Sequence, residues 1–162
     1  MNIRLISNWR DLKGLYKDAC LLRDYLMENG HTVFEQQFDV VNGSCLEKMD
    51  LNILCESLVP AWFAFADKNW VFPNPEWWFP TYDICVPYLD RICCKTHDAH
   101  RIFSGKYGDK AVYTGFMSED NFDGNVKRER KFLHIAGGSQ VKNTQAVLDA
   151  WAEMQFTVPS LV

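Results

Sequence analysis

The sequence predicts an α/β fold: a Rossmann-like parallel sheet with helices on both faces. Three observations carry this. A short apolar run opens the chain, Asn2 to Ser7. A helical repeat follows, with Leu15, Ala19, Leu22 and Leu26 at spacings of four, three and four. Two further apolar runs come next, His31 to Phe38 and Asp50 to Cys55. Strand, long helix and strand at this spacing form a βαβ unit, which implies parallel pairing and cover on both faces.

Each element has its local reason. Asp11 is placed to cap the first helix and Gly30 to end it. The first strand is expected to be central, with its carboxyl end, Ser7 to Gly14, opening on the crevice where such folds bind ligands. Between Pro60 and Tyr82, nine of 23 residues are aromatic. Most of these rings are expected to pack. This stretch predicts a strand at Asn69–Phe72 and a turn at Pro73-Asn74-Pro75-Glu76. Tyr82–Val86 and Arg91–Thr96 follow, one or both as strands. Asp98–Tyr107 is a short helix and Lys110–Phe116 a strand. Residues 117–131 are polar and read as a linker. The pattern then restarts with a strand at Phe132–Ala136, a loop at Gly137–Lys142 and a helix capped by Asn143. The apolar face of that helix holds Val147, Ala150, Trp151 and Met154. One strand and one helix cannot bury their own faces, so the chain reads as the front part of a longer protein. The expected domains are 1–120 and the start of a second at 131–162.

Composition narrows the function classes. The 162 residues carry 17 basic and 21 acidic side chains, a net charge of −4, which argues against nucleic-acid binding. Apolar residues make up 48% and charged residues 23%, a globular balance. No apolar run is long enough to span a membrane. The first residues lack the form of a signal peptide, so a cytoplasmic location is expected, with its six cysteines reduced. Adjacent Cys93 and Cys94 point to opposite faces if they lie on a strand.

Candidate sites emerge in four places. Gly137, Gly138, Ser139 and Lys142 lie between strand and helix, where backbone N–H groups and a lysine can hold a phosphate; an ordinary turn is the alternative. The loop lacks the P-loop and dinucleotide-binding patterns. Asn8 and Gly14 follow the first strand, and Gly14 serves either a ligand's close approach or a tight turn. Asn74 and Glu76 flank Pro75 among tryptophans, where a carboxylate can bind a sugar hydroxyl or act as a base; turn chemistry and helix capping compete with that reading. Cys94-x-x-His97-x-x-His100 offers three ligands, one short of a structural zinc site, so no metal is assigned. His134 reads as a core histidine.

Three stretches together resemble a family. They are Asn74-Pro75-Glu76-Trp77; Cys94-Lys95-Thr96-His97 with Ala99–Phe103 and Thr114–Asp120; and His134–Ser139 with Lys142-Asn143-Thr144 and Ala150-Trp151. In order and spacing they resemble GT-B glycosyltransferases, the type that uses nucleotide-sugar donors. The resemblance implies two Rossmann-like domains facing a cleft, the first taking the acceptor and the second the donor, with closure across the 117–131 linker. It implies donor phosphate contacts from Gly137, Gly138, Ser139 and Lys142, with Ser139 standing near where the family often has an arginine. Asn8, Gly14, Asn74 and Glu76 would line the acceptor side. No cofactor or metal is implied, in keeping with the absence of an Asp-x-Asp motif. The family's acidic donor contacts come later than Val162, so this chain by itself is expected to be inactive, and no catalytic residue is assigned. A second reading is a non-catalytic Rossmann-like module or split subunit that docks on a partner chain, a further copy of itself included. A nucleotide-binding oxidoreductase is disfavoured by the missing glycine fingerprint after the first strand.

Overall fold

The computed structural model describes residues 1–10, 14–39, 47–118, 120, 122–127, 132–135 and 142–154. The chain divides into two compact units, Met1–Glu119 and Asp120–Val162. The first unit is built on six parallel strands in the order β2-β1-β3-β4-β5-β6. These are β1 (Asn2–Ser7), β2 (Thr32–Gln37), β3 (Met49–Cys55), β4 (Ala66–Phe72), β5 (Arg91–Cys94) and β6 (Ala111–Tyr113). Two helices accompany them, α1 (Gly14–Glu28) and α2 (His97–Tyr107).

The sheet is laid out from β1 in both directions, to β2 on one side and to β3 on the other. Right-handed crossovers running opposite ways put their helices on opposite faces. Accordingly α1 covers one face, with Ala19 and Leu22 against Ile3, Leu5, Leu51 and Ile53. The other face carries Ile6, Leu54, Val71 and Ile92 under Trp62 and the Ala99 and Phe103 side chains of α2. Alternation along each strand divides neighbours between the layers. Cys93 lies in the first and Cys94 in the second, as two adjacent strand residues must. Both layers exclude water: Leu5, Leu54 and Trp62 are each 0% exposed. Truncating Trp62 to alanine is expected to cost about 3–5 kcal/mol.

Helix α1 stops for a reason written in its sequence. Gly30 adopts φ 80°, and its N–H donates to Met27 O while His31 N–H donates to Leu26 O. That pair of bonds is a Schellman cap, which favours glycine in the left-handed position. Asp11, the expected cap at the other end, lies outside the described residues.

A polar row crosses the apolar sheet. Arg4, Asn52 and Asn69 are register partners on β1, β3 and β4, and all are buried. Asn52 Nδ2 donates to Trp62 O at 2.7 Å and to Asn69 Oδ1 at 3.0 Å; Arg4 Nη1 donates to Asn52 Oδ1 at 3.2 Å and to Phe65 O at 3.0 Å. Asn69 Nδ2 donates to Phe63 O. The row holds the 3-10 turn Pro60–Phe65 by its carbonyls, and the guanidinium also lies 5.1 Å from the Trp62 ring.

Several expected elements differ. The strand expected at Asn69–Phe72 begins earlier, at Ala66, where exposed Asp67 and Lys68 mask its apolar pattern. The apolar run Tyr82–Val86 is not a strand. It lies in a 3-10 stretch, Pro80–Tyr88, whose two prolines lack ladder donors. The strand expected at Lys110–Phe116 is confined to Ala111–Tyr113, and a 3-10 turn at Gly108–Lys110 precedes it.

In the second unit, the described part of the expected strand Phe132–Ala136 holds only an isolated bridge at Phe132. A strand needs a ladder partner, and the described residues of this unit provide no second strand. Helix α3 (Thr144–Glu153) does follow. Asn143 occupies its N-cap, in a left-handed conformation and without a side-chain capping bond. Trp151 packs edge-on against Phe132.

Candidate functional site

Parallel strands put all their carboxyl ends on one edge of the sheet, and side chains just beyond them converge there. A cavity of about 530 Å³ opens on this edge between the exits of β4 and β5. Pro73, Pro75, Ala99 and Ile102 give it apolar walls; Asn74, Glu76, Lys95, Thr96 and Asp98 give it polar groups. The end of β1, where the sequence places a crevice, leads into residues 11–13, which lie outside the described residues; β4 and β5 stand two and three strands across from it.

Each wall is fixed locally. Pro73 is buried, and a single 3-10 turn, Pro75–Trp77, is closed by Trp77 N–H on Asn74 O. Across the cavity, Thr96 caps α2, its Oγ1 accepting from Ala99 N–H at 3.1 Å. Lys95, the first residue beyond β5, has a side chain only 18% exposed. Its Nζ donates to Asp18 of α1 at 2.8 Å and lies 5.9 Å from the Phe116 ring. The lysine thereby ties the cavity to the opposite layer.

Asn74 reaches back to the carboxyl end of β3. Its Nδ2 donates to Glu56 Oε1 at 2.8 Å, and Glu56 N–H donates to Phe72 O at 2.8 Å. Glu56 has φ 68°, a left-handed backbone that costs a non-glycine residue about 1–2 kcal/mol. Beside it, the Cys55 thiol is buried, and burial pushes its pKa up to about 12, with Lys95 opposing the shift. A thiol in that state is no nucleophile at neutral pH. The hydroxyl of Ser7 at the end of β1 is buried without a standard hydrogen bond.

The structure brings together two of the expected site residues, Asn74 and Glu76. Glu76 is exposed within its turn and caps no helix. Asn8 is directed elsewhere: its Oδ1 accepts from Gln37 Nε2 at 3.2 Å, at the end of β2, and it does not line the cavity. Gly14 opens α1 without a positive φ, and a Cβ there would meet nothing within 4 Å, so neither a tight turn nor crowding requires glycine. Gly137, Gly138 and Ser139 lie outside the described residues. Lys142 is exposed and donates to Ile135 O at 3.0 Å. His134 is partly buried, with Nε2 3.1 Å from Thr144 Oγ1, rather than in a strand core.

The Cys94, His97 and His100 side chains are not assembled. Cys94 is buried in a sheet layer with its thiol toward Ile92 O, whereas His97 is exposed and stacks on Tyr113 at 4.0 Å. Among the described residues no cluster of three metal-ligating side chains occurs, and no helix is long and apolar enough to cross a membrane.

Sequence reasoning missed Glu56, Lys95 and Thr96 as site residues. The available signal was position: each lies within two residues of the carboxyl end of a buried parallel strand. A second cavity, of about 540 Å³, is lined by Pro60, Phe63, Ala64, Asn69, Ile84, Cys85 and Tyr88. Its only side-chain amide, Asn69, is already engaged by Asn52 and Phe63. It lacks the convergent polar groups of the first.

No protein-family model matches the chain, and neither does any curated protein or solved structure. The chain is therefore classified by its architecture alone, as a parallel six-stranded α/β sheet of Rossmann-like arrangement.

Proposed function

We propose that the chain belongs to a GT-B glycosyltransferase, with residues 1–120 on the acceptor side and residues 131–162 opening the donor side, transferring a sugar from a nucleotide-sugar donor to a hydroxyl acceptor. One observation carries the reading. Two stretches that resemble the family, Asn74-Pro75-Glu76 and Lys95-Thr96 with Ala99 and Ile102, are separate in sequence yet line one cavity. That cavity mixes apolar walls with a few fixed polar groups, the usual make-up of a small-molecule site.

In this reading the acceptor lies between the β4 and β5 exits, with hydroxyls on Asn74 and Glu76. The bond between the anomeric carbon and the donor phosphate breaks, its electron pair leaving with the nucleoside diphosphate. The acceptor oxygen forms the new bond, and its proton passes to the Glu76 carboxylate on which the hydroxyl rests. Lys142 would exchange its neutral carbonyl partner for the leaving phosphate, a stronger, charge-assisted contact. Gly137, Gly138 and Ser139 would add backbone donors.

The test is binding of a panel of nucleotide sugars to the chain by calorimetry, since the chain by itself is expected to turn nothing over. Saturable donor binding, weakened about tenfold or more by Lys142→Ala, supports the reading. Absence of binding with every donor contradicts it.

A second reading, a non-catalytic module docking on a partner chain, draws on α3, which has no buried residue and leaves Leu148 48% exposed. Sedimentation of the chain alone and with candidate partners separates the two.

A further inference from the structure

Glu56 is one of two non-glycine residues with a left-handed backbone among those described; the other is an asparagine, which tolerates it. A glutamate gains nothing locally from this conformation. Strain of this kind persists where the surroundings impose it, and it gathers at functional sites. Glu56 is held on both sides, its N–H on Phe72 O and its carboxylate on Asn74 Nδ2.

The carboxylate has a directional consequence. Once ionised it can only accept hydrogen bonds. It therefore forces the nitrogen end of the Asn74 carboxamide toward itself, leaving Oδ1 for another partner. A neutral neighbour would permit either orientation. Asn74 lines the cavity; Glu56 does not, and so acts through Asn74.

We infer that Glu56 is a positioning residue that sets the specificity of the cavity: by fixing Asn74 with Oδ1 available, it selects a ligand group that donates a hydrogen bond, as a sugar hydroxyl does. This inference rests on the reading of the cavity as an acceptor site. The backbone strain at Glu56 is then retained for recognition rather than for stability.

The experiment titrates the ¹⁵N-labelled chain with methyl glucoside, methyl galactoside and methyl mannoside, and with their fully O-methylated counterparts. It follows Asn74, Thr96 and Ala99 in the wild type, Glu56→Gln and Glu56→Gly, alongside thermal melts. Hydroxylated glycosides should shift these signals and the O-methylated ones should not. Glu56→Gln keeps size and backbone but can also donate, so affinity should fall about fivefold or more at unchanged Tm. Glu56→Gly removes the carboxylate while relieving the backbone, so affinity should fall with Tm kept within about 3 °C. Equal affinity in wild type and both variants would overturn the role of Glu56 and leave the acceptor reading standing. Equal shifts from O-methylated glycosides would overturn the selection of a donor. Glycosides that shift nothing in the wild type would overturn the acceptor reading and this inference with it.

Discussion

Single side chains in this protein act mostly by tying separate elements together. Asp83 is the clearest case. Its carboxylate accepts from Lys106 Nζ at 2.7 Å, from Trp78 Nε1 at 3.1 Å and from the Tyr107 hydroxyl, joining the 3-10 stretch to α2. The Lys106 bond first, then those from Tyr107 and Trp78, hold its pKa at about 2 instead of 3.8. A carboxyl depressed in the folded state stabilises above its unfolded pKa and loses that effect as pH falls toward its folded one. Thermal melts between pH 5 and about 2 are therefore expected to show a Tm decline that is shallower in Asp83→Asn. Asn52 gives a sharper test. Asn52→Ala leaves Trp62 O and Asn69 Oδ1 buried without this donor, a loss of about 2–5 kcal/mol by urea denaturation. The partnerships of Asp83 with Lys106 and Tyr107 and of Asn52 with Asn69 were not legible in the sequence, because they join residues brought together only by a crossover or by register.

Elements were legible where periodicity and punctuation agreed. The four-three-four spacing of α1 and the glycine behind it correspond to a helix whose apolar face meets the sheet and whose end is a Schellman cap. Gly30→Ala forces a Cβ into φ 80° and is expected to cost about 1 kcal/mol, whereas Gly14→Ala is expected to be neutral or mildly stabilising. Denaturant midpoints of the two variants check both. The apolar alternation at Tyr82–Val86 misled because prolines at both sides, Pro80 and Pro87, outweigh a periodicity of five residues. On β3 and β5, burial pushes the Cys55 and Cys93 thiols up to about 12 and Cys94 up to about 11. All three should resist iodoacetamide at pH 8 in the native chain and react fully in guanidinium. Labelling of Cys93 in the folded protein would contradict the two-layer packing.

At the scale of the molecule, the parallel sheet was legible because a βαβ pattern admits few topologies. The site was legible only in part. Asn74 and Glu76 stood out as polar residues in an aromatic, proline-rich stretch, but their partners Lys95 and Thr96 meet them only through the pairing of β4 with β5. Asn8 was singled out because the end of β1 is the default crevice of such folds; its side chain is engaged by Gln37 and does not line this cavity. The central claim is that ligands bind at the carboxyl edge between the β4 and β5 exits. Chemical-shift mapping of the wild-type chain with methyl glycosides tests it most directly. The account predicts saturable shifts confined to Asn74, Glu76, Lys95, Thr96 and Ala99. Shifts centred instead on Phe63, Ile84 and Tyr88, or no saturable shifts at all, would contradict it.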